Sequence, residues 1–500
     1  MRLMVAVGGI ANARALHEAR FLSECFPKGT GFPEVAVPEP ALELPAADVR
    51  AFSIDDVTTT EIDDAISVTP IDDTTVRIGI HIAAPGFGIQ RGDALDAIAR
   101  QRLSTVYFPG DKITMLPESV VDRYTLQEGR ACPSLSLYVT VDRTTWTVTA
   151  SQTRCESVTV AANLRHNLLE EVITAEALAE GSGEYPFKAE LAVLWPFACA
   201  LYDARQQARI ASGLKPEGAQ RGDYSFYIDP IPEAEGGGER VRIEQRKRGS
   251  PLDKIVAELM ILANSTWGRM LADAGVPGIY RTQKAWGMHR TRMQTYPAPH
   301  EGLGVAQYAW STSPLRRYVD LVNQWQIAAV AQHGVTAKLV APFKPKDADL
   351  LAAVADFEAT YAAYADHQST MERYWCLRWL KQENRTRMPA VVLKDGAVRF
   401  AEIPLVTKVP ELAQAARGTH VVLDILDTDE IGLEVSCRVV EILAPAADAE
   451  AEAEAMEEEL AEAPAEPQPG ADGEEAHAEA ETAVAPPPQD GETGGTPAAA

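Results

Sequence analysis

The hydrophobic pattern of the chain changes period twice, and few folds accommodate such a change. From about residue 50 to 160 apolar positions alternate: "AISVTPI" and "TVRIGIHIAA" flank "DDTT" as a hairpin, and "LSLYVTVD" and "WTVTASQTRCESVTV" continue as strands. From about 160 to 385 helices are predicted to dominate. Residues 388–443 return to short strands, "PAVVLKDGAVRFAEIPL", "HVVLDILD" and "GLEVSCRVVEI", spaced by turn signals as in a small β-barrel. The expected class is α+β.

The helical region carries its own punctuation. "SPLDKIVAELMILANSTWGRMLADAG" has Ser250 as N-cap, Pro251 at the first helical position, Asp253 completing a capping box and Gly275 as the stop. Its Ile255, Val256, Leu259, Met260, Ala263 and Trp267 fall on one face. "TSPLRRYVDLVNQWQIAAVAQHG" is predicted to repeat the design from Ser313 and Pro314, and residues 347–383 form a longer helix.

Four segments follow from these shifts: a short helical stretch with a Pro-rich linker (1–48), a large α+β domain (49–386), the small β-barrel (387–445) and a tail (446–500). The tail holds 16 Asp and Glu and no Lys or Arg, with almost no aliphatic bulk, so it is expected to be disordered. It also dominates the formal charge of −26; without it 56 acids face 46 basic residues, a balance of about −10. That balance excludes sequence-blind binding over a wide basic surface but allows a basic groove, for which "QRKRG" at 245–249 is a candidate lining. The six cysteines are far apart and form no CxxC pair, which fits a reducing, cytoplasmic setting rather than a disulfide scaffold or zinc knuckle. "MRLMVAVGGIANARA" has the outline of a signal peptide, but two glycines interrupt its apolar run, and no stretch is long enough to span a bilayer.

Chemistry first shows in "SIDDVTTTEIDDAISV", residues 53–68, where Asp55, Asp56, Glu61, Asp63 and Asp64 lie within ten positions. An acidic turn between strands is one reading. The other is a site for hard divalent cations, which need several anionic oxygens converging, because such carboxylates repel unless positive charge sits among them. Two magnesium ions, activating a water and stabilising a leaving oxygen, are the common use of such a cluster in phosphodiester hydrolysis. A second candidate is "TSPLRRYVDL", 312–321, which places Arg316 and Arg317 in the first turn of a helix. The dipole disfavours arginine there by ~0.3–1 kcal/mol. An ordinary surface pair and a phosphate-binding site both remain open.

Together these stretches resemble the ribonuclease II and ribonuclease R family. Its RNB catalytic domain opens with an Asp and then three acids as Asp-x-Asp-Asp, and ends with Thr-Ser-Pro-x-Arg-Arg-Tyr-x-Asp. Here these read Asp55, "EIDDA" and "TSPLRRYVD", with "GIHIA", "STVYFPGDKITMLPE", "KIVAELMILAN" and "APHEGLG" in family order, over about 50 to 385. The resemblance implies an RNB fold, a mixed sheet with surrounding helices, followed by an OB-type RNA-binding domain. It implies a processive 3′-to-5′ exoribonuclease that hydrolyses single-stranded RNA to nucleoside 5′-monophosphates. The implied cofactor is Mg²⁺, two ions, with Mn²⁺ as the substitute, and the chain is expected to act as a monomer off the membrane. By resemblance Asp55, Glu61, Asp63 and Asp64 hold metal, and Asp55, Asp63, Asp64 and Arg316 are catalytic. Tyr107 and Phe226 match base-stacking positions, and Arg317 and Glu372 match RNA contacts; as residues alone, the two aromatics also read as core.

The chain departs from the pattern at Glu61, where the second Asp is expected, and at Ala84 in "HIAAP", in place of an Asp. The stretch between "GIYR" and "APHEGLG" is short, and only about 48 residues precede the domain where the family carries cold-shock-type OB domains. Weaker RNA retention is the expected consequence. These departures keep a second reading in view, a catalytically impaired RNB-fold protein that binds RNA or a partner. Asp56 is expected to be a solvated bystander.

Overall fold

The computed structural model describes residues 2–217, 222–232, 237–247, 249–284, 291–443 and 453. The acidic tail, apart from Ala453, and the side chains of Arg246, Lys247 and Arg248 in the candidate basic lining lie outside the described residues.

Two helices, α1 (Arg2–Ala6) and α2 (Ala13–Cys25), come first. Strands β1 (Ala51–Asp55), β2 (Asp64–Pro70) and β3 (Thr75–Ala83) follow, then helix α3 (Ala94–Arg102). The short hairpin β4 (Val106–Phe108) and β5 (Asp111–Ile113) and helix α4 (Glu118–Tyr124) lead into the long strands β6 (Ala131–Asp142) and β7 (Thr147–Arg165). Strands β1-β2-β3-β6-β7 make a closed barrel. Every neighbouring pair is antiparallel except β1 and β7, which close it in parallel with Asp55 opposite Arg165. The expected hairpin of residues 64–83 is present, and Asp72 closes its turn by accepting from the Thr74 amide at 2.8 Å.

Strand alternation divides the barrel side chains into two sets. Ile66, Ile78, Ile80, Ile82, Leu135 and Leu137 join a cluster with two long helices, Lys188–Ala211 and Pro251–Ala274. The alternate set includes a polar trio, in which the fully buried His81 ring bonds Ser67 Oγ through Nε2 and Ser136 Oγ through Nδ1, both at 2.8 Å. Burial pushes the His81 pKa down to about 3, so the ring is neutral.

After β7 come α5 (His166–Leu169), α6 (Ala175–Glu180) and α7 (Lys188–Ala211). The region in which helices were expected to dominate then contains an antiparallel hairpin, β8 (Gly222–Pro230) and β9 (Glu239–Lys247). Its "YSFYI" and "VRIEQ" alternate with period two, and their apolar faces pack in a core between α2, the long helix Ala348–Gln382 and the C-terminal sheet. Helix α8 (Pro251–Ala274) starts and stops where its caps predict: Ser250 Oγ accepts from the Asp253 amide at 3.1 Å, and Gly275 takes φ +60°. The β10 (Tyr280–Thr282)–β11 (Arg292–Gln294) pair, α9 (Tyr318–His333), α10 (Ala337–Val340) and α11 (Ala348–Gln382) complete the helical half.

The last strands are β12 (Arg387–Val392), β13 (Ala397–Phe400), β14 (Val406–Lys408), β15 (His420–Asp429) and β16 (Glu434–Ile442). They form an antiparallel sheet of order β14-β13-β12-β15-β16. The expected small barrel is thus an open sheet among the described residues, since no ladder joins β14 to β16, and β14 is only three residues long.

Candidate active site

The acids of residues 55–64 stand at the seam of the barrel. Asp55 ends β1 and Asp64 starts β2, so the antiparallel turn between these strands returns one beside the other. The backbone before Asp64 is pinned on both sides. The Ile62 amide donates to Thr125 Oγ1 at 2.8 Å, the Ile62 carbonyl accepts from Leu126, and the Asp63 carbonyl accepts from Ala83. The other limb is held by Arg165, whose Nη1 donates to the Asp56 carbonyl at 2.6 Å.

Arg316 approaches the cluster from the far side of the sequence. The Leu315 amide donates to Asp63 Oδ1 at 3.1 Å, and Arg316 Nε lies 3.3 Å from Asp63 Oδ2. Arg316 Nη2 donates to Ser313 Oγ at 2.9 Å, which fixes the guanidinium plane. The predicted helix start is wrong here: α9 begins at Tyr318 with Arg317 as N-cap, so neither arginine lies in its first turn. Long-range bonds capture the preceding backbone instead. The Arg316 carbonyl accepts from Thr105 and the Tyr318 amide donates to the Leu103 carbonyl, which holds Arg317 extended at φ −135°. Asp320, unremarked in the sequence beyond its place in the motif, clasps this turn. It is fully buried, accepts the Ser313 amide at 3.0 Å and takes a bidentate pair from Arg317 at 2.7 and 2.8 Å.

That pair corrects the expectation for Arg317. Its side chain is 2 % exposed and its guanidinium lies 4.2 Å over the Trp310 ring, so it shapes the turn rather than offering a surface to RNA. Phe226 is likewise a packing residue, 3 % exposed in the core shared by β8, α11 and the C-terminal sheet. Tyr107 is buried too, but its hydroxyl donates to Glu61 Oε2 at 2.6 Å, and its ring borders a small cavity with Tyr361 and Gln368. Glu372, half-buried on α11, accepts from that Gln368 at 2.8 Å. Asp56 is not solvated: its side chain is 15 % exposed and caps a turn by accepting from Thr58 N at 3.0 Å. Arg165 and Thr125 organise the site without a local signature, since each acts on backbone atoms distant in sequence, whereas Ser313 and Asp320 lie within the TSPLRRYVD motif and act on the arginines three residues away.

The electrostatics show what the cluster lacks. Burial pushes Asp55 up to about 6, against a hydrogen bond from Ser53 and the charge of Arg165. Burial pushes Asp63 up to about 7, against Arg316 and the Leu315 amide, while Glu61 adds to the rise. Asp64 is raised well above the carboxylate range by burial, then by repulsion from Asp55 and Asp63. Asp55 Oδ2 and Asp63 Oδ2 are buried without a hydrogen bond; the Asp63 contact with Arg316 is Coulombic, not aligned. Two guanidinium groups, Arg316 and Arg165, beside the four carboxylates of Asp55, Glu61, Asp63 and Asp64 leave negative charge over when all ionise. Hard oxygen donors with unengaged lone pairs, Asp55 Oδ2 and Asp63 Oδ2, next to Asp64 where β1 ends and β2 begins, fit a divalent cation of magnesium type.

The comparisons agree with this geometry. The RNB domain family matches residues 46–287 and 285–333. An uncharacterised ribonuclease of Synechocystis sp. is 27 % identical over 377 residues, covering 69 % of this chain and 51 % of its own. The chloroplastic/mitochondrial ribonuclease II of Arabidopsis thaliana is 24 % identical over 425 residues, covering 79 % and 48 %. The chain therefore spans about half the length of the curated relatives it matches. Among solved structures, the apo form of Mycoplasma genitalium RNase R superposes with a TM-score of 0.66 at 13 % identity, over 79 % of this chain and 72 % of that one. The yeast pseudonuclease Ssd1 superposes with a TM-score of 0.54 at 16 % identity, over 78 % and 52 %. Sequence match and architecture converge, and the chain belongs to the RNB domain family.

Proposed function

We propose that this chain is a divalent-cation-dependent 3′-to-5′ exoribonuclease that hydrolyses single-stranded RNA to nucleoside 5′-monophosphates. The observation that carries the reading is the approach of Leu315 N–H and Arg316 to Asp63, which sets a phosphate-binding cation against a buried carboxylate cluster. Asp55, Asp63 and Asp64 would hold the cations, and Glu61, tied to Tyr107, would contribute from the edge. When bound, the cations supply the missing positive charge and acidify the attacking water. Arg316, its plane fixed by Ser313, would bind the non-bridging phosphate oxygens and stabilise the charge that builds on them in the transition state. Tyr107, which borders the small cavity with Tyr361 and Gln368, and Glu372, bonded to that Gln368, would contact the terminal nucleotide. The relatives named as ribonucleases support the same reading. Among the described residues no helix is long and apolar enough to cross a membrane.

One observation favours a second reading, an RNB-fold protein that binds RNA without cutting it. Glu61 stands at an expected Asp and its carboxylate is engaged by Tyr107 at 2.6 Å, and a pseudonuclease shares the fold. A 5′-labelled single-stranded RNA with Mg²⁺ separates the two. Progressive shortening from the 3′ end, lost in Asp63→Asn, is the expected result; binding without shortening by the unaltered protein sinks the nuclease.

A further inference from the structure

Behind the turn that carries Asp56 lies a group of metal-ligating side chains that the carboxylate centre does not use. His166 opens α5, Glu170 follows one helical turn later, and Asp253 lies in the first turn of α8. One ligand atom from each lies within 4.8 Å of the other two. His166 Nδ1 is 3.0 Å from Glu170 Oε1, close to the roughly 3.3 Å that separates neighbouring ligands on a tetrahedral zinc ion. The imidazole side chain is 7 % exposed, and its Nε2 faces Asp56 Oδ2 at 3.7 Å. One ring nitrogen is thus beside Glu170 and the other faces the Asp56 carboxylate across 3.7 Å, a charge contact longer than a hydrogen bond that a small shift of either side chain would close.

We propose that His166, Glu170 and Asp253 form a second metal site, for a borderline divalent transition ion such as Zn²⁺, with Asp56 as a positioning residue. A nitrogen ligand with two carboxylates suits that class, whereas Mg²⁺ prefers oxygen ligands alone. Three protein ligands leave at least one position for solvent. The site is separate in its ligands from the carboxylate centre but joined to it by chain: Asp56 follows Asp55, and Arg165, which holds the Asp56 carbonyl, precedes His166. An ion there would clamp the start of α8 and the end of β7 to the turn between β1 and β2, a structural clasp behind the catalytic acids.

The test is calorimetric titration of the whole chain with Zn²⁺ in excess Mg²⁺, with Co²⁺ substitution read by visible absorption. The expected result is one Zn²⁺ per chain and a Co²⁺ d–d band. Both should persist in Asp63→Asn and be lost in His166→Ala. Glu170→Gln, conservative enough to keep the fold if His166→Ala does not, should weaken Zn²⁺ by about tenfold or more, and Asp56→Asn by about tenfold. Failure to bind Zn²⁺ overturns the proposal, as does binding that Glu170→Gln leaves unchanged. Loss of binding in Asp63→Asn also overturns it, because the ion would then belong to the carboxylate centre.

Discussion

At the scale of single residues, the site is a deliberate imbalance of charge. Asp64 is raised by burial and by Asp55 and Asp63, so an uncharged isostere relieves repulsion in the metal-free protein. Asp64→Asn is expected to melt higher than the unaltered chain in EDTA, by on the order of 1–2 kcal/mol. Mg²⁺ should then add little. The advantage should be larger at pH 8 than at pH 5, because a group whose folded pKa is raised contributes stability that is lost as pH rises. Thermal melts at both pH values, with and without Mg²⁺, check this. Arg316→Lys keeps the charge and loses the planar fork that Ser313 orients, so kcat should fall about 100-fold while affinity for RNA changes little. Single-turnover assays and equilibrium binding together separate the two effects.

At the scale of elements, the start of α9 is the joint on which Arg316 depends. Asp320 and Arg317 are buried to within 2 % and bond each other twice, so Asp320→Asn leaves the guanidinium buried without its counter-charge. The expected cost is about 3–5 kcal/mol, with activity falling further than stability because Arg316 loses its aim. Chemical denaturation and RNA cleavage by the same preparation measure both. The same joint shows what was legible in sequence. The hairpin of residues 64–83, the helix capped by Ser250 and Gly275 and the long helix from Ala348 were readable because their signals are local. The α9 start was not, because Leu103 and Thr105, about 210 residues earlier, capture the backbone that Ser313 and Pro314 would otherwise turn into helix. The β8–β9 hairpin is harder to read, because its short alternating runs sit between two long helical patterns and their apolar face is defined by packing on α11. The acids and Arg316 were identifiable by type and order, but Tyr107 as a partner of Glu61 and Asp320 as the clasp required the third dimension.

At the scale of the whole molecule, acid sensitivity is built into three separate places. His81 in the barrel and His300 near the end of α7 are pushed down to about 3 by burial, and His367 beneath α2 to about 4. Unfolding releases each to an ordinary pKa near 6.5. The unfolded chain therefore binds more protons between about 4 and 6.5, and stability falls as pH drops through that window. His81 alone should account for about 2–3 kcal/mol between pH 7 and 4.5, and His81→Gln should flatten the curve if Ser67 and Ser136 accept the amide. Urea titrations across that range provide the measurement.

The parallel closure of the barrel reaches further than its geometry. Asp55 waits for β7, a hundred residues downstream, before Arg165 stands opposite it, and Asp63 waits 252 residues for the Leu315 amide. A nascent chain emerging from the ribosome therefore carries its carboxylates long before Arg316 can stand beside them. Until Arg316 has been made, the buried acids repel one another without that counter-charge, so the early barrel carries an electrostatic cost that only the later segment offsets.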